Sequence, residues 1–460
     1  MWRVFWVFIF LGLVAAAAGW LADHPGTLRL DWLGYRIDTS VAVLVFSIAF
    51  IAAVTAILYR FWVDLRRAPH RILGAMKERR RQRGFVALSQ GLVAVASGDI
   101  ADAKRQARRA ESLLAEPAMT QLLSAQAAQL SGDAQAATRF FTDMLEQRDT
   151  EFMGLRGLLM QAMKRNDQVE ALSFARRAFE LQPKNDWVAK TLVRLHVRSQ
   201  QWADAEQTLQ AAIKHKALSL ADVSADYATI HYQLSLRDSN QHNDDEALKH
   251  AVAAHGLAPA FIPAAWHLVQ LYIAAGHSRK AVPVIEAAWV YEPHRDLLEP
   301  YWAATESGDA MACVRAAQFL AGLNPDHFES RLAIAKAALE AKLWGVARTQ
   351  LEAAVDAGVT GRVCQMMATL AEAEHGDQDC AREWLMRVAS AEPDPVWVCD
   401  SCGNAVTDWQ PICGKCDDFN SFLWRTPPRV LSLPNTDQDP KMLNHEAEDA
   451  PLVDAQGAPQ

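Results

Sequence analysis

Ala103, Ala137, Ala171 and Ala205 are each separated by thirty-four residues. A repeat of that length restricts the chain to stacked copies of one small helical unit, because a single copy cannot bury its own apolar face. A turn-like dipeptide precedes each alanine: Gly98-Asp99, Gly132-Asp133, Asn166-Asp167 and Gln201-Trp202. After a longer interval the register resumes at Ala247 and Ala281, and again through Cys313, Ala347 and Ala381. Gly276-His277, Gly308-Asp309 and Gly376-Asp377 hold the turn position there. Ala110, Ala178, Ala212, Ala254, Ala288 and Ala354 follow seven residues after an anchor, and Pro183, Pro259, Pro293, Pro325 and Pro393 follow twelve after one. A small residue early in the second helix lets it approach the first, and another two turns later continues the contact. Proline then ends the helix.

This pattern resembles the tetratricopeptide repeat, a helix–turn–helix that stacks into a superhelix. About nine units are expected over 84–392, in an all-α fold built as an α-solenoid. From Leu218 to Asp245 the period is broken by eight residues, and 238–243 reads as an extended polar loop marking a seam. An array of this kind offers a long concave surface to protein partners, with no single cleft implied.

Ahead of the array, Val4–Leu21 and Val41–Tyr59 are free of charge. At about 18 to 20 residues each matches a bilayer core. Trp2, Trp6 and Trp20, then Tyr35, Tyr59 and Trp62, stand at the edges, as interfacial aromatics do. Residues 1–62 therefore read as two transmembrane helices joined by a short external hairpin, Thr27–Trp32 and Tyr35–Asp38 around Gly34. The aromatic first run and the second span behind it argue against a cleaved signal peptide. Nine Lys or Arg against two acids fall between Arg60 and Arg83, making 63–83 a basic juxtamembrane segment on the cytoplasmic side. Both termini are then expected inside, in a multi-pass membrane protein that contacts lipid through its spans.

Behind the array, Cys399, Cys402, Cys413 and Cys416 form two C-x-x-C knuckles ten residues apart. Two knuckles can aim four thiolates at one metal, and four thiolates leave no coordination position open, so the metal is expected to be structural. Zinc and iron both suit such a set, with zinc favoured. A cytoplasmic setting disfavours disulfides. Trp397, Trp409, Phe419, Phe422 and Trp424 supply a core for this zinc-ribbon-like module at 393–428, which is expected to cap the last repeat or add a docking surface. The acidic, proline-bearing stretch 429–460 reads as disordered.

Motifs for chemistry are missing: there is no phosphate-cradling glycine loop, nucleophile elbow, H-E-x-x-H or C-x-x-C-H. His196, His231, His255 and His267 fall on repeat helices and read as structural. Net charge is −8, which argues against nucleic acid as a partner. No catalytic residue is expected and the chain reads as non-enzymatic.

The paired spans, the hairpin stretch from Asp23-His24-Pro25-Gly26 through Trp32-Leu33-Gly34-Tyr35-Arg36-Ile37, and the repeats together resemble the HemY family of proteobacterial inner-membrane proteins. That resemblance implies an inner-membrane scaffold linked to a late step of haem synthesis, with haem-pathway enzymes as partners. Direct haem or porphyrin binding is a second possibility it raises. The repeats ending in two knuckles are also similar to LapB, a tethered tetratricopeptide regulator of lipopolysaccharide synthesis with one span.

Overall fold

The computed structural model describes residues 2–23, 26–32, 35–114 and 116–427; Gly34 and the 429–460 tail lie outside them. Two compact units divide the chain, Met1–Glu151 and Phe152–Gln460.

The first unit opens with helix α1, Trp2–Asp23. Strands β1 (Thr27–Trp32) and β2 (Tyr35–Ser40) form the expected antiparallel hairpin, in register from Thr27 opposite Ser40 to Trp32 opposite Tyr35. Ser40 then caps helix α2, Val41–Ser97, by accepting the Val43 N–H at 3.4 Å. Within α2, Val43–Val63 has a mean hydropathy of 2.2 and none of it is buried. Among the described residues it is the one helical stretch long and apolar enough to cross a membrane. The sequence leads one to expect two, and the stretch of the first, Val4–Leu21, is helical within α1.

Helix α2 continues through the basic segment, and its last turns serve as the first helix of a pair with α3 (Ile100–Leu113). Gly84 and Gly91 lie two turns apart there. A Cβ at Gly84 would stand 2.6 Å from Leu114, and one at Gly91 2.5 Å from Leu123, so glycine sets how closely the helices approach. Helices α4 (Pro117–Leu130) and α5 (Ala134–Asp143) complete this unit around Ala87, Ala103, Ala110, Leu123 and Ala127.

In the second unit the pairs are α6 (Glu151–Lys164) with α7 (Gln168–Leu181), and α8 (Asp186–Arg198) with α9 (Trp202–Lys214). They continue as α10 (Leu220–Asn240) with α11 (Asp244–Leu257), and α12 (Ile262–Ala274) with α13 (Ser278–Tyr291). Next come α14 (Leu298–Ala304) with α15 (Ala310–Gly322), and α16 (Phe328–Glu340) with α17 (Trp344–Ala357). The last pair is α18 (Gly361–His375) with α19 (Gln378–Arg387).

Between the two helices of every pair sits one residue with left-handed backbone: Gly98, Gly132, Asn166, Gln200, His242, Gly276, Glu306, Lys342 and Gly376. This conformation lets helix-end carbonyls be satisfied before the chain reverses. Where Asp99, Asp133, Asp167 or Asp377 follows, its carboxylate caps the second helix. Ala103, Ala137, Ala205, Ala247, Ala281 and Ala347 are fully buried, and so are all six alanines seven residues after an anchor. Cys313, in the same register, is only half-buried.

Two details depart from expectation. The turn before α15 is at Glu306 rather than Gly308-Asp309, although Asp309 still caps α15 through the Ala312 N–H. The polar stretch 238–243 is not an extended loop. The eight additional residues lengthen α10, which runs to Asn240 with a three-residue turn after it. Side-chain spacing explains the difference: Ala228, His231, Ser235 and Asp238 recur three or four residues apart and are all buried. Ser235 donates to the Ala247 carbonyl (2.6 Å) and lies 3.0 Å from His267 Nε2, so that nitrogen carries the proton. The four histidines expected on repeat helices are there, and His196, His231 and His267 are buried.

Because Ala205 is fully enclosed, Ala205→Leu forces overpacking and is expected to cost about 1–3 kcal/mol. Val169→Leu, at a position 80% exposed, is the control and leaves the urea midpoint unchanged. Equal midpoints for the two variants would contradict the assigned contact.

Candidate functional site

After α19 the chain turns back. The Glu392 N–H donates to the Val359 carbonyl (2.8 Å), and Asp394 Oδ2 accepts from the Arg362 N–H (3.2 Å). Three strands follow, β3 (Val396–Cys399), β4 (Ala405–Val406) and β5 (Phe422–Arg425), with β3 central and both neighbours antiparallel to it.

The knuckles fold on their own backbones. Gly403 N–H reaches the Cys399 carbonyl at 2.9 Å, and Asp417 N–H reaches the Cys413 carbonyl at 2.9 Å. Gly403, at φ 70, occupies a position that favours glycine. All four sulfurs fall within 4.8 Å of one another. Cys399 and Cys416 Sγ are 3.7 Å apart, and Cys402 and Cys413 Sγ 3.6 Å apart. Neither separation is a disulfide. Four sulfurs at the vertices of a zinc tetrahedron with bonds of 2.3 Å stand ~3.8 Å apart, so the donor set fits such an ion.

Electrostatics agree with that fit. Burial opposes ionisation of Cys399, but the Ser421 hydroxyl and knuckle amides outweigh it and bring the thiol down to about 6. Cys416 receives an amide from Asp418, yet burial and the neighbouring sulfurs hold it up at about 12. Four thiolates in this space repel one another unless a cation lies among them.

The four-cysteine module does not cap the last repeat. Leu385 and Met386 on α19 stay 53% and 65% exposed. Instead it lies along the first helices of earlier pairs. Asn420 donates to Asp226 Oδ1 (3.0 Å) and accepts from Thr229 Oγ1 (2.9 Å), both on α10. Trp409 packs edge-on against Tyr232 at 5.7 Å and Phe261 at 4.9 Å. Trp424 meets His294 at 4.3 Å, and the Arg295 guanidinium lies over the Trp424 ring at 5.3 Å. Ile412 and Phe419 join the cluster of Val193, Val197 and Ile230. The physical reason is the module's size: it is too small to enclose three tryptophans, and repeat aromatics offer the missing cover. Asp226 reports the same seat, since burial pushes its carboxyl above the ordinary range against the opposing bond from Asn420.

Beside the ribbon a cavity of about 1150 Å³ remains. Trp266, Glu299, Lys336, Arg362 and Gln365 line it from first helices, and Trp397, Asp408 and Trp409 from the ribbon. First-helix residues thus form the groove. Periodicity marks the helices but not which face turns inward, and the short α14, preceded by a 3-10 turn at Arg295–Leu297, gives no sequence signal of the space it leaves.

Residues 26–132 match the family model described as HemY protein N-terminus, and 162–225 a tetratricopeptide repeat model. The first match takes in the hairpin, α2, α3 and α4. Over those stretches the chain is similar to the HemY N-terminus and to tetratricopeptide repeats. A probable magnetosome protein, Mms48 of Magnetospirillum gryphiswaldense, is 24% identical over 428 residues, covering 92% of this chain and 93% of the relative. Among solved structures, MamA is 19% identical with a TM-score of 0.27, over 42% of this chain and 96% of MamA. Naa15/Naa10 bound to HypK-THB is 12% identical with a TM-score of 0.37, over 67% and 55%. The HemY N-terminus match and the apolar helix together support membrane association, and the repeats support a role in protein–protein interaction.

Trp409→Ala removes two aromatic contacts, worth together roughly 1–3 kcal/mol. Proteolytic cleavage within 393–427 is expected to rise by about tenfold or more. Cleavage unchanged from wild type would show that the ribbon is not held by the groove.

Proposed function

We propose that this chain is a non-enzymatic scaffold of the bacterial inner membrane whose repeats gather partner proteins on the cytoplasmic side. The reading carries two N-terminal spans, both termini inside and, by family resemblance, haem-biosynthesis enzymes as the partners. Its domain scheme runs from the spans at 1–62 and the basic segment at 63–83 to the repeats at 84–392, the ribbon at 393–428 and the tail beyond.

The observation that carries it is the groove. Its first-helix face is long, mixed in charge and rich in exposed ring surface, and the ribbon covers only part of it. Trp266, Glu299 and Lys336 on the uncovered part suit a protein segment better than a small polar substrate, and Arg362 is occupied by a bidentate pair with Glu329. Charged groups paired with one another in an open groove are poor candidates for acid–base chemistry. The four cysteines hold a structural zinc ion in this scheme. With every coordination position filled by thiolate, the ion's part is to fix the ribbon's fold, and iron is the competing occupant.

Two measurements test this. Crosslinked pull-down from native membranes is expected to recover haem-pathway enzymes, and Lys336→Glu with Trp266→Ala to reduce that recovery about tenfold. Recovery of lipopolysaccharide deacetylase machinery instead, or a partner set indifferent to the groove substitutions, would contradict the reading. In elemental analysis, Cys402→Ser with Cys416→Ser is expected to lower zinc by one equivalent per chain. An unchanged zinc content would remove the metal from the scheme.

A further inference from the structure

Metal-ligating side chains converge a second time, away from the ribbon's cysteines. Glu206 stands on α9, His231 on α10 and His250 on α11. A Glu206 carboxylate oxygen and one nitrogen from each ring all lie within 4.8 Å of one another. The two Nδ1 atoms are 2.9 Å apart. Without a cation, one imidazole must donate its proton to the other, while Glu206 Oε1 accepts from Gln210 Nε2 at 3.1 Å. With a cation, all three lone pairs have a use.

We propose that Glu206, His231 and His250 form a second metal site, for a divalent first-row transition ion of the zinc class. Two imidazoles and one carboxylate are a borderline donor set, which selects zinc, cobalt or nickel over magnesium or calcium. In a tetrahedral site with bonds of 2.0–2.1 Å the two nitrogens stand ~3.3 Å apart. The rings therefore need to part by roughly 0.4 Å.

Surrounding contacts prepare both rings. Nε2 of His250 faces Asp238 Oδ2 at 3.7 Å, and Asp238 is only 4% exposed. Its other oxygen is held by Arg237 Nε and Nη2 at 3.0 and 2.7 Å. A carboxylate behind a ligating histidine fixes which nitrogen carries the proton and turns the other toward the metal. Tyr227 stacks on His231 at 4.6 Å and fixes that ring's plane.

Three protein ligands leave one position for water, and Glu206 and His250 are only half-buried, so an ion has a path in. Bound there, it ties α9, α10 and α11 together at the point where eight additional residues lengthen α10. None of the three ligands comes from the ribbon.

The test uses the full detergent-solubilised chain, stripped with a chelator and titrated with Co²⁺. Cys402→Ser with Cys416→Ser silences the ribbon and is expected to retain one Co²⁺ per chain, with ligand-field bands but no sulfur-to-cobalt charge transfer. Adding His250→Gln to that background is expected to weaken this equivalent by about 100-fold or more, and Asp238→Asn by about 10- to 100-fold. Circular dichroism checks that each variant is folded. Should His250→Gln not fold, Glu206→Gln provides the same comparison. The proposal is overturned if the ribbon-silenced chain retains no cobalt, or if the ligand substitution leaves cobalt affinity unchanged. If wild type binds only with sulfur charge transfer, the ribbon stands and this second site falls.

Discussion

Close approach of paired helices at alanine is the contact on which everything else in this molecule depends. Ala205 and Ala212, or Ala281 and Ala288, are seven residues apart and fully buried, so each second helix presents a smooth line to its first helix. Helices packed over small side chains sit near the short end of the usual interaxial range. Larger residues then fill the gaps between pairs. Trp289 is completely enclosed and donates from Nε1 to Ser330 Oγ at 3.1 Å, fastening α13 to α16. Stability of this kind is built from nearest neighbours, and the inward face is left available to other uses.

What occupies part of that face is the chain's own ribbon. The arrangement ties the four-cysteine site to the state of the groove, because the knuckles shape the module that presents Trp409, Phe419 and Asn420 to α10 and α12. A repeat array is usually read as an open surface awaiting a partner. Here the surface that remains is composite, with ribbon tryptophans on one side and repeat residues such as Trp266 and Lys336 on the other.

Much of this was legible in the residues, and for identifiable reasons. Alanine spacing, turn residues and proline report local geometry, so the helix pairs could be read from them, and alternation in Thr27–Trp32 reported the hairpin. The knuckles announced four neighbouring thiols because C-x-x-C spacing fixes two sulfurs on one turn. Three things were not legible. Glu306 adopts the left-handed turn although Gly308 stands two residues on, a choice made by packing around the short α14. The long α10 was hidden because Asp238, Ser239 and Asn240 are polar, and only their neighbours reveal that Asp238 is buried. The seat of the ribbon depends on contacts spanning 191 and 194 residues of sequence, which no local pattern encodes.

The central question for this molecule is whether the four-cysteine ribbon and the groove are one structure. Hydrogen exchange on the full chain, wild type against Cys402→Ser, measures this directly. Protection is predicted to fall together in β3–β5 and in the groove-facing helices α10 and α12, while α7 and α17 keep theirs. Loss confined to the ribbon strands, with α10 and α12 unchanged, would contradict it.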